Sequence, residues 1–68
     1  MNLSVGDRIR VKLEIGTTKC GVIISGPHYR DQWSAVRFPV KWLVRLDGIV
    51  NARWIPAVDI IERLSSGT

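Results

Sequence analysis

The stretch Arg8-Ile9-Arg10-Val11-Lys12-Leu13-Glu14-Ile15 alternates charged and apolar residues without a break. In a β-strand this alternation puts all the apolar side chains on one face, because successive side chains point to opposite sides. The apolar set is Ile9, Val11, Leu13 and Ile15. A helix would spread the same residues around its whole circumference. The stretch therefore predicts a half-buried strand, which follows a turn at Gly6-Asp7.

Four further segments are typical of strands, at 19–25, 40–46, 49–55 and 60–64. Gly21 predicts a bulge or bend inside the second strand, and Gly26-Pro27 is expected to end it. Asp47-Gly48 between two apolar runs predicts a tight hairpin. The segment 56–59 begins with a proline and predicts a single helical turn before the last strand. The segment 28–38 combines turn formers, charges and aromatics without a strand period, so we expect a long loop there.

This organisation predicts a single domain over residues 1–64 and a frayed tail over residues 65–68. Since the chain has 68 residues, it can form only one small core, and such cores are marginally stable on their own. Oligomerisation is therefore an expected source of stability. The predicted core consists of Ile9, Val11, Leu13, Val22, Ile24, Val44, Ile55, Ile60 and Leu64.

Cysteine and histidine usage excludes two kinds of stabilising site. The sequence has one cysteine, Cys20, and one histidine, His28, so neither an internal disulfide nor a Cys/His zinc cluster can form. We expect neither a metal nor a cofactor. Since there is also no apolar run of the ~18 residues that a membrane span needs and no signal-peptide pattern, we expect a cytoplasmic protein that does not bind membranes.

Several short motifs together resemble the SH3-like barrels. These are the opening Gly6-Asp7-Arg8-Ile9-Arg10-Val11, the Gly-Val-Ile strand at 21–23, the hairpin and the closing stretch 55–64. The resemblance covers the chain from about residue 5 to residue 64. It implies an all-β fold, a small five-stranded SH3-like barrel with a one-turn 3-10 helix before the last strand.

Two groups of small bacterial SH3-like proteins are similar in architecture. Type II dihydrofolate reductases share the Gly-Asp-Arg-x-Arg opening and act as tetramers around a central pore. The positions that match their Val-Gln-Ile-Tyr pore stretch are Ala52, Arg53, Trp54 and Ile55, and none keeps the family residue. The SH3-like accessory subunits of photosynthetic complexes share an aromatic-Pro-Val motif, here Phe38-Pro39-Val40, and dock on larger proteins without performing chemistry.

The residue types that catalysis requires are scattered along the sequence. His28 and Asp31 fall in the predicted loop, Cys20 falls in a strand, and the four aspartates stand at positions typical of turns and caps. Catalysis needs a nucleophile with a base, paired carboxylates or a metal cage. The sequence therefore predicts a protein that is not an enzyme.

Three tryptophans are many for so small a core. With a two-residue turn at Asp47-Gly48, Trp42 would face Arg53 and Lys41 would face Trp54, which puts the two tryptophans on opposite faces of the hairpin. One of them would then face the interior and the other would be partly exposed or covered by a partner. The alternative is that both belong to two packed layers, with the cations extending over the edges.

Aromatic and basic residues outside the strand periodicity predict one contact surface. Its members are His28, Tyr29, Arg30, Trp33, Lys41, Trp42, Arg45, Arg53 and Trp54. We interpret it as a protein–protein or self-association interface, because exposed tryptophan and arginine are typical of interface hot spots. The alternative is a nucleic-acid-binding domain that stacks bases on aromatic rings. A pore-forming oligomeric reductase is a third possibility.

The charged face of the first strand allows two interpretations. Arg8, Arg10 and Lys12 form a cationic stripe that could contact successive phosphates. The interpretation we favour is an edge strand that charge protects against aggregation.

Overall fold

The computed structural model describes residues 2–29 and 39–67. For Pro39 and Val40 it describes the backbone alone. Over these residues the chain forms five strands and one turn of 3-10 helix. These are β1 (Arg8–Glu14), β2 (Thr17–Tyr29), β3 (Pro39–Leu46), β4 (Arg53–Pro56), η1 (Ala57–Asp59) and β5 (Ile60–Ser65). The predicted all-β fold class, including a single helical turn before the last strand, is confirmed. No helix in this part of the chain is long and apolar enough to cross a membrane.

All neighbouring strands are antiparallel and form one sheet in the order β4-β3-β2-β1-β5. In a flat sheet β4 and β5 would lie about 19 Å apart, which is four inter-strand spacings. The three residues of η1 join them and advance by only about 6 Å. The sheet must therefore curl until its two edges approach each other. η1 lies where they meet and contacts both β1 and β3.

The curled sheet encloses the apolar core. The buried hydrophobic side chains in the described part of the chain are Ile9, Val11, Ile23, Trp42, Val44, Leu46, Ile55 and Ile60. Five of the predicted core residues are confirmed, namely Ile9, Val11, Val44, Ile55 and Ile60. Leu13 is partly buried and packs against this core. Leu64, also predicted to be buried, is exposed because β5 is an edge strand.

The predicted burial of Val22 and Ile24 is wrong, because β2 presents its other face to the core. Ile23 is buried opposite Val44, and Val22 pairs with exposed Arg45 on the outer face. Gly21 fixes this choice, since a Cβ atom there would lie 2.6 Å from the Arg45 carbonyl oxygen. The residues of β2 that face the core therefore include Gly21, the position where β3 approaches most closely.

β2 is longer than predicted. It continues through Gly26-Pro27 to Tyr29, with irregular register along the way, and His28 pairs with Lys41. The predicted end of the strand at Gly26-Pro27 and the predicted loop conformation of His28 and Tyr29 are therefore wrong. The rest of that predicted loop, residues 30–38, lies outside the described residues.

The β1–β2 turn also differs from the prediction. Ile15, expected on the apolar face of the first strand, is 95% exposed. The register of β1 shifts between Lys12 and Glu14, and the strand ends at Glu14. Ile15 therefore lies in the turn rather than in the sheet.

The β3–β4 hairpin has a longer connection than the predicted two-residue turn. Trp42 pairs with Ile55 and Leu43 with Trp54, a shift of two residues from the predicted register. A backbone hydrogen bond ties this connection to β2 instead: the Asp47 amide donates to the Cys20 carbonyl at 2.9 Å. Because the shift is an even number of residues, every side chain keeps its predicted face.

Asp7 connects the two ends of the described chain. This residue is 2% exposed, and its carboxylate accepts hydrogen bonds from the backbone amides of Gly67 (3.0 Å) and Ser4 (2.8 Å). These bonds hold the pKa of Asp7 below its ordinary value, and the nearby Arg63 acts in the same direction. The tail was predicted to fray from residue 65, whereas Ser65 belongs to β5 and Gly67 is bound to Asp7.

Candidate binding surface

Three of the predicted surface residues meet on the outer face of the sheet. The His28 and Trp54 rings lie 5.5 Å apart between centroids and are tilted by 56°. The Lys41 Nζ atom lies 5.1 Å from the centre of the Trp54 ring. We call these three residues the Trp54 cluster. It combines a tilted aromatic contact with a cation–π contact.

Strand register assembles the Trp54 cluster from β2, β3 and β4. His28 pairs with Lys41, and Trp54 pairs with Leu43, two residues further along β3. Neighbours on a diagonal of the sheet remain within reach of long side chains, so Lys41 can extend over the Trp54 ring. Trp54 is still 45% exposed. The cluster therefore fixes the orientation of a large aromatic side chain that remains accessible from outside.

The two tryptophans of the hairpin have different environments. Trp42 is only 4% exposed and belongs to the core, because β3 directs it inwards opposite Ile55. The prediction that only one of Trp42 and Trp54 faces the interior is confirmed. Trp42 itself, which the sequence placed on the contact surface, is a core residue.

The remaining predicted surface residues are more dispersed. Arg45 is exposed on the outer face of β3, and Tyr29 is exposed at the end of β2. Arg53 pairs with buried Val44, so it lies on the other side of β4 from Trp54. Arg30 and Trp33 lie outside the described residues. The structure thus brings together only part of the predicted set.

A hollow of about 590 Å³ lies on the same outer face, between strands β2 and β3 and the β3–β4 connection. We call it the β3–β4 hollow. Its lining is Val22, Ile24, Arg45, Leu46, Asp47, Gly48, Ile49 and Val50. Sequence reasoning missed it, because Val22 and Ile24 were assigned to the core. The signal in the sequence was the Ile49-Val50 pair directly after a glycine turn, where Val50 is 88% exposed.

The cations of β1 are largely neutralised. Arg8 donates two hydrogen bonds to the Asp47 carboxylate, one of them at 3.3 Å, and these bonds raise the pKa of Arg8. Arg10 Nη1 lies 2.7 Å from Glu62 Oε1. β1 also lies between β2 and β5. The favoured interpretation of this strand as a charge-protected edge is therefore wrong.

The outer face of β3 has the opposite character. Among the described residues, no carboxylate forms an ion pair with Lys41 or Arg45. The same part of the chain contains no group of three metal-ligating side chains that could hold an ion. The surface can therefore offer an aromatic ring, apolar walls and positive charge with which no described carboxylate pairs.

Comparisons of the chain with models of protein families, with curated proteins and with solved structures found no match.

Proposed function

We propose that this chain is an SH3-like barrel that acts as a non-enzymatic protein-binding module. The strand order β4-β3-β2-β1-β5 and the position of η1 between β4 and β5 support the SH3-like assignment. Function is carried by sites rather than by the fold, so the binding role depends on the outer face of the sheet.

The observation that carries the proposal is the half-exposed Trp54 ring held between His28 and Lys41. Tryptophan is enriched at the centres of protein interfaces, where it buries a large area. A ring that is already oriented loses little conformational freedom when a partner covers it. The Trp54 cluster therefore has the properties of a preorganised anchor.

Charge favours a different protein as partner over a second copy of this chain. A two-fold contact through the outer face would bring Lys41 and Arg45 close to the same residues of the other copy. Like charges across an interface are unfavourable, whereas a partner with carboxylates would compensate them.

Two observations weigh against nucleic acid as the partner. Arg8 and Arg10 are engaged by Asp47 and Glu62, which leaves few cations of β1 for phosphates. Lys41 already lies over the Trp54 ring, where a base would stack. A reductase activity is also not proposed, and dihydrofolate-dependent NADPH oxidation that Arg53→Ala abolishes would overturn this view.

Affinity capture with matched baits tests the proposal. Wild-type protein, Trp54→Ala and the control Val58→Ala, which changes an exposed residue of η1, are each incubated with nuclease-treated extract. Mass spectrometry should find a protein that wild type and Val58→Ala retain and that Trp54→Ala loses. Retention should fall by less than tenfold between 50 and 200 mM salt, because a protein partner adds only a few charged contacts to the apolar ones.

Three outcomes would contradict a protein partner at this face. Bound proteins could be the same for wild type and Trp54→Ala. Binding could require nucleic acid and fall at least tenfold over that salt range, as expected for phosphate contacts. Sedimentation of the purified protein over a dilution series could reveal an oligomer that Trp54→Ala dissociates, which would identify self-association instead.

A further inference from the structure

We propose that the β3–β4 hollow recognises an extended acidic segment of the partner, taking an apolar side chain next to a carboxylate that pairs with Arg45. This inference rests on the proposed function and names the chemistry of the partner. It follows from the walls of the hollow, from its charge and from the spacing of cations along β3.

The walls of the hollow suit an apolar side chain. The apolar lining of the hollow includes Val22 and Ile24 of β2 and Ile49 and Val50 of the β3–β4 connection. Val50 is almost fully exposed, so a covering group would remove apolar surface from water. The volume of about 590 Å³ lies within the range of pockets that bind small ligands.

The charge of the hollow selects the neighbouring group. Two ionisable side chains line it, Arg45 and Asp47. Asp47 already accepts two hydrogen bonds from Arg8, whereas Arg45 has no ion pair with any described carboxylate. The hollow therefore presents a guanidinium with which no described carboxylate pairs, and a guanidinium binds a carboxylate with two parallel hydrogen bonds in the favoured geometry.

The spacing along β3 defines the pattern of the partner. Lys41 and Arg45 lie on the same face of β3 and are separated by about 14 Å, at ~3.4 Å per residue. An extended segment that lies along β3 has the same repeat, so its carboxylates would be four residues apart. The residue between them would reach Leu43 and Trp54, which pair across β3 and β4. The next side chain of the segment that faces the sheet, beyond the second carboxylate, would enter the hollow.

A designed peptide is the probe. It has seven residues, with glutamate at the first and fifth positions, leucine at the third and seventh, and serine between them. Two matched peptides replace the glutamates by lysines or the leucines by serines. In NMR titrations of the full chain, the designed peptide should bind at least tenfold more tightly than either matched peptide, because the loss of a single charge-assisted contact or of a single buried leucine side chain already accounts for about a factor of ten. The shifted amides should include Val22, Ile24, Ile49 and Val50.

Charge reversal makes the test specific. Arg45 is exposed, so Arg45→Glu should fold. It should lose the wild-type preference for the glutamate peptide, because Lys41 still favours glutamate whereas position 45 now favours lysine. The control Lys12→Glu reverses an exposed cation of β1 and should keep the wild-type preference. The inference is overturned if Arg45→Glu keeps the wild-type preference, or if the peptide shifts only amides outside the hollow.

The peptide titration and the affinity capture can fail independently of each other. A captured protein that Trp54→Ala loses, together with an unchanged peptide preference in Arg45→Glu, would overturn the role of the hollow and leave the protein-binding role standing. Capture that does not depend on Trp54 would overturn the proposed function itself.

Discussion

Asp7 holds two distant parts of the chain on one carboxylate. Because the hydrogen bonds from Gly67 and Ser4 favour the charged form, its pKa lies lower in the folded protein than in the unfolded chain. The stability that Asp7 contributes is thus present above the unfolded pKa of about 3.9 and is lost as pH falls from there towards the folded pKa.

Replacing this carboxylate should therefore change both stability and its pH dependence. Asp7→Asn should lower the urea midpoint at pH 7, because the amide lacks the negative charge that accepts these bonds strongly. Its midpoint should also change less between pH 7 and pH 3 than that of wild type. Urea unfolding monitored by circular dichroism measures both effects. The matched control Glu14→Gln, at an exposed position, should resemble wild type. A wild-type midpoint for Asp7→Asn at pH 7 would contradict the role of Asp7.

The two hairpin tryptophans should separate stability from binding. Trp42→Ala removes a buried ring and should cost about 3–5 kcal/mol in the free energy of unfolding. Trp54→Ala removes a half-exposed ring and should cost about 1 kcal/mol or less. Thermal unfolding of both variants measures this difference. Equal losses for the two would show that Trp54 is as much a part of the core as Trp42.

At the scale of elements, the contact between β2 and β3 depends on Gly21. A Cβ atom there would lie 2.6 Å from the Arg45 carbonyl oxygen, which can move only if the backbone of β3 shifts, and 2.9 Å from Cγ1 of the buried Val44 side chain. Gly21→Ala should therefore destabilise the protein by about 1–3 kcal/mol. Ser25→Ala, at an exposed position of the same strand, is the control for denaturant unfolding. A stable Gly21→Ala variant would mean that the two strands can separate slightly at no cost.

Strands with strict alternation could be predicted from the sequence, and uniformly apolar runs could not. In β1 each charged neighbour marks the outer face, so the burial of Ile9 and Val11 follows directly. In Val22-Ile23-Ile24 every residue is apolar, so the sequence pattern does not indicate which of them face the core. The close approach of β3 to Gly21 determines which face of β2 is directed to the core, and this approach is a tertiary contact.

The candidate site was predictable to a similar extent. The proximity of Lys41 to Trp54 survives an error of two residues in register, because an even shift keeps both side chains on their face. The approach of His28 could not be predicted, since it depends on the register shifts that carry β2 past Gly26-Pro27. The β3–β4 hollow could not be predicted either, because it depends on which face of β2 is directed outwards.

For the whole molecule, the positions of the terminal strands determine how it should resist force. Arg8, at the start of β1, pairs with Ser65, at the end of β5, and Asp7 binds Gly67 beside this pair. Tension applied at residues 2 and 67 would first break the Asp7 bonds and then separate the two strands one hydrogen-bonded pair at a time. Tension applied at residues 2 and 58 would act along the strands and load the pairs between β1 and β5 together. In optical-trap measurements, the second geometry should give the higher unfolding force, and equal forces in both would contradict this. The protein would then be mechanically soft when pulled at residues 2 and 67 and stiff when the same two strands are pulled along their length.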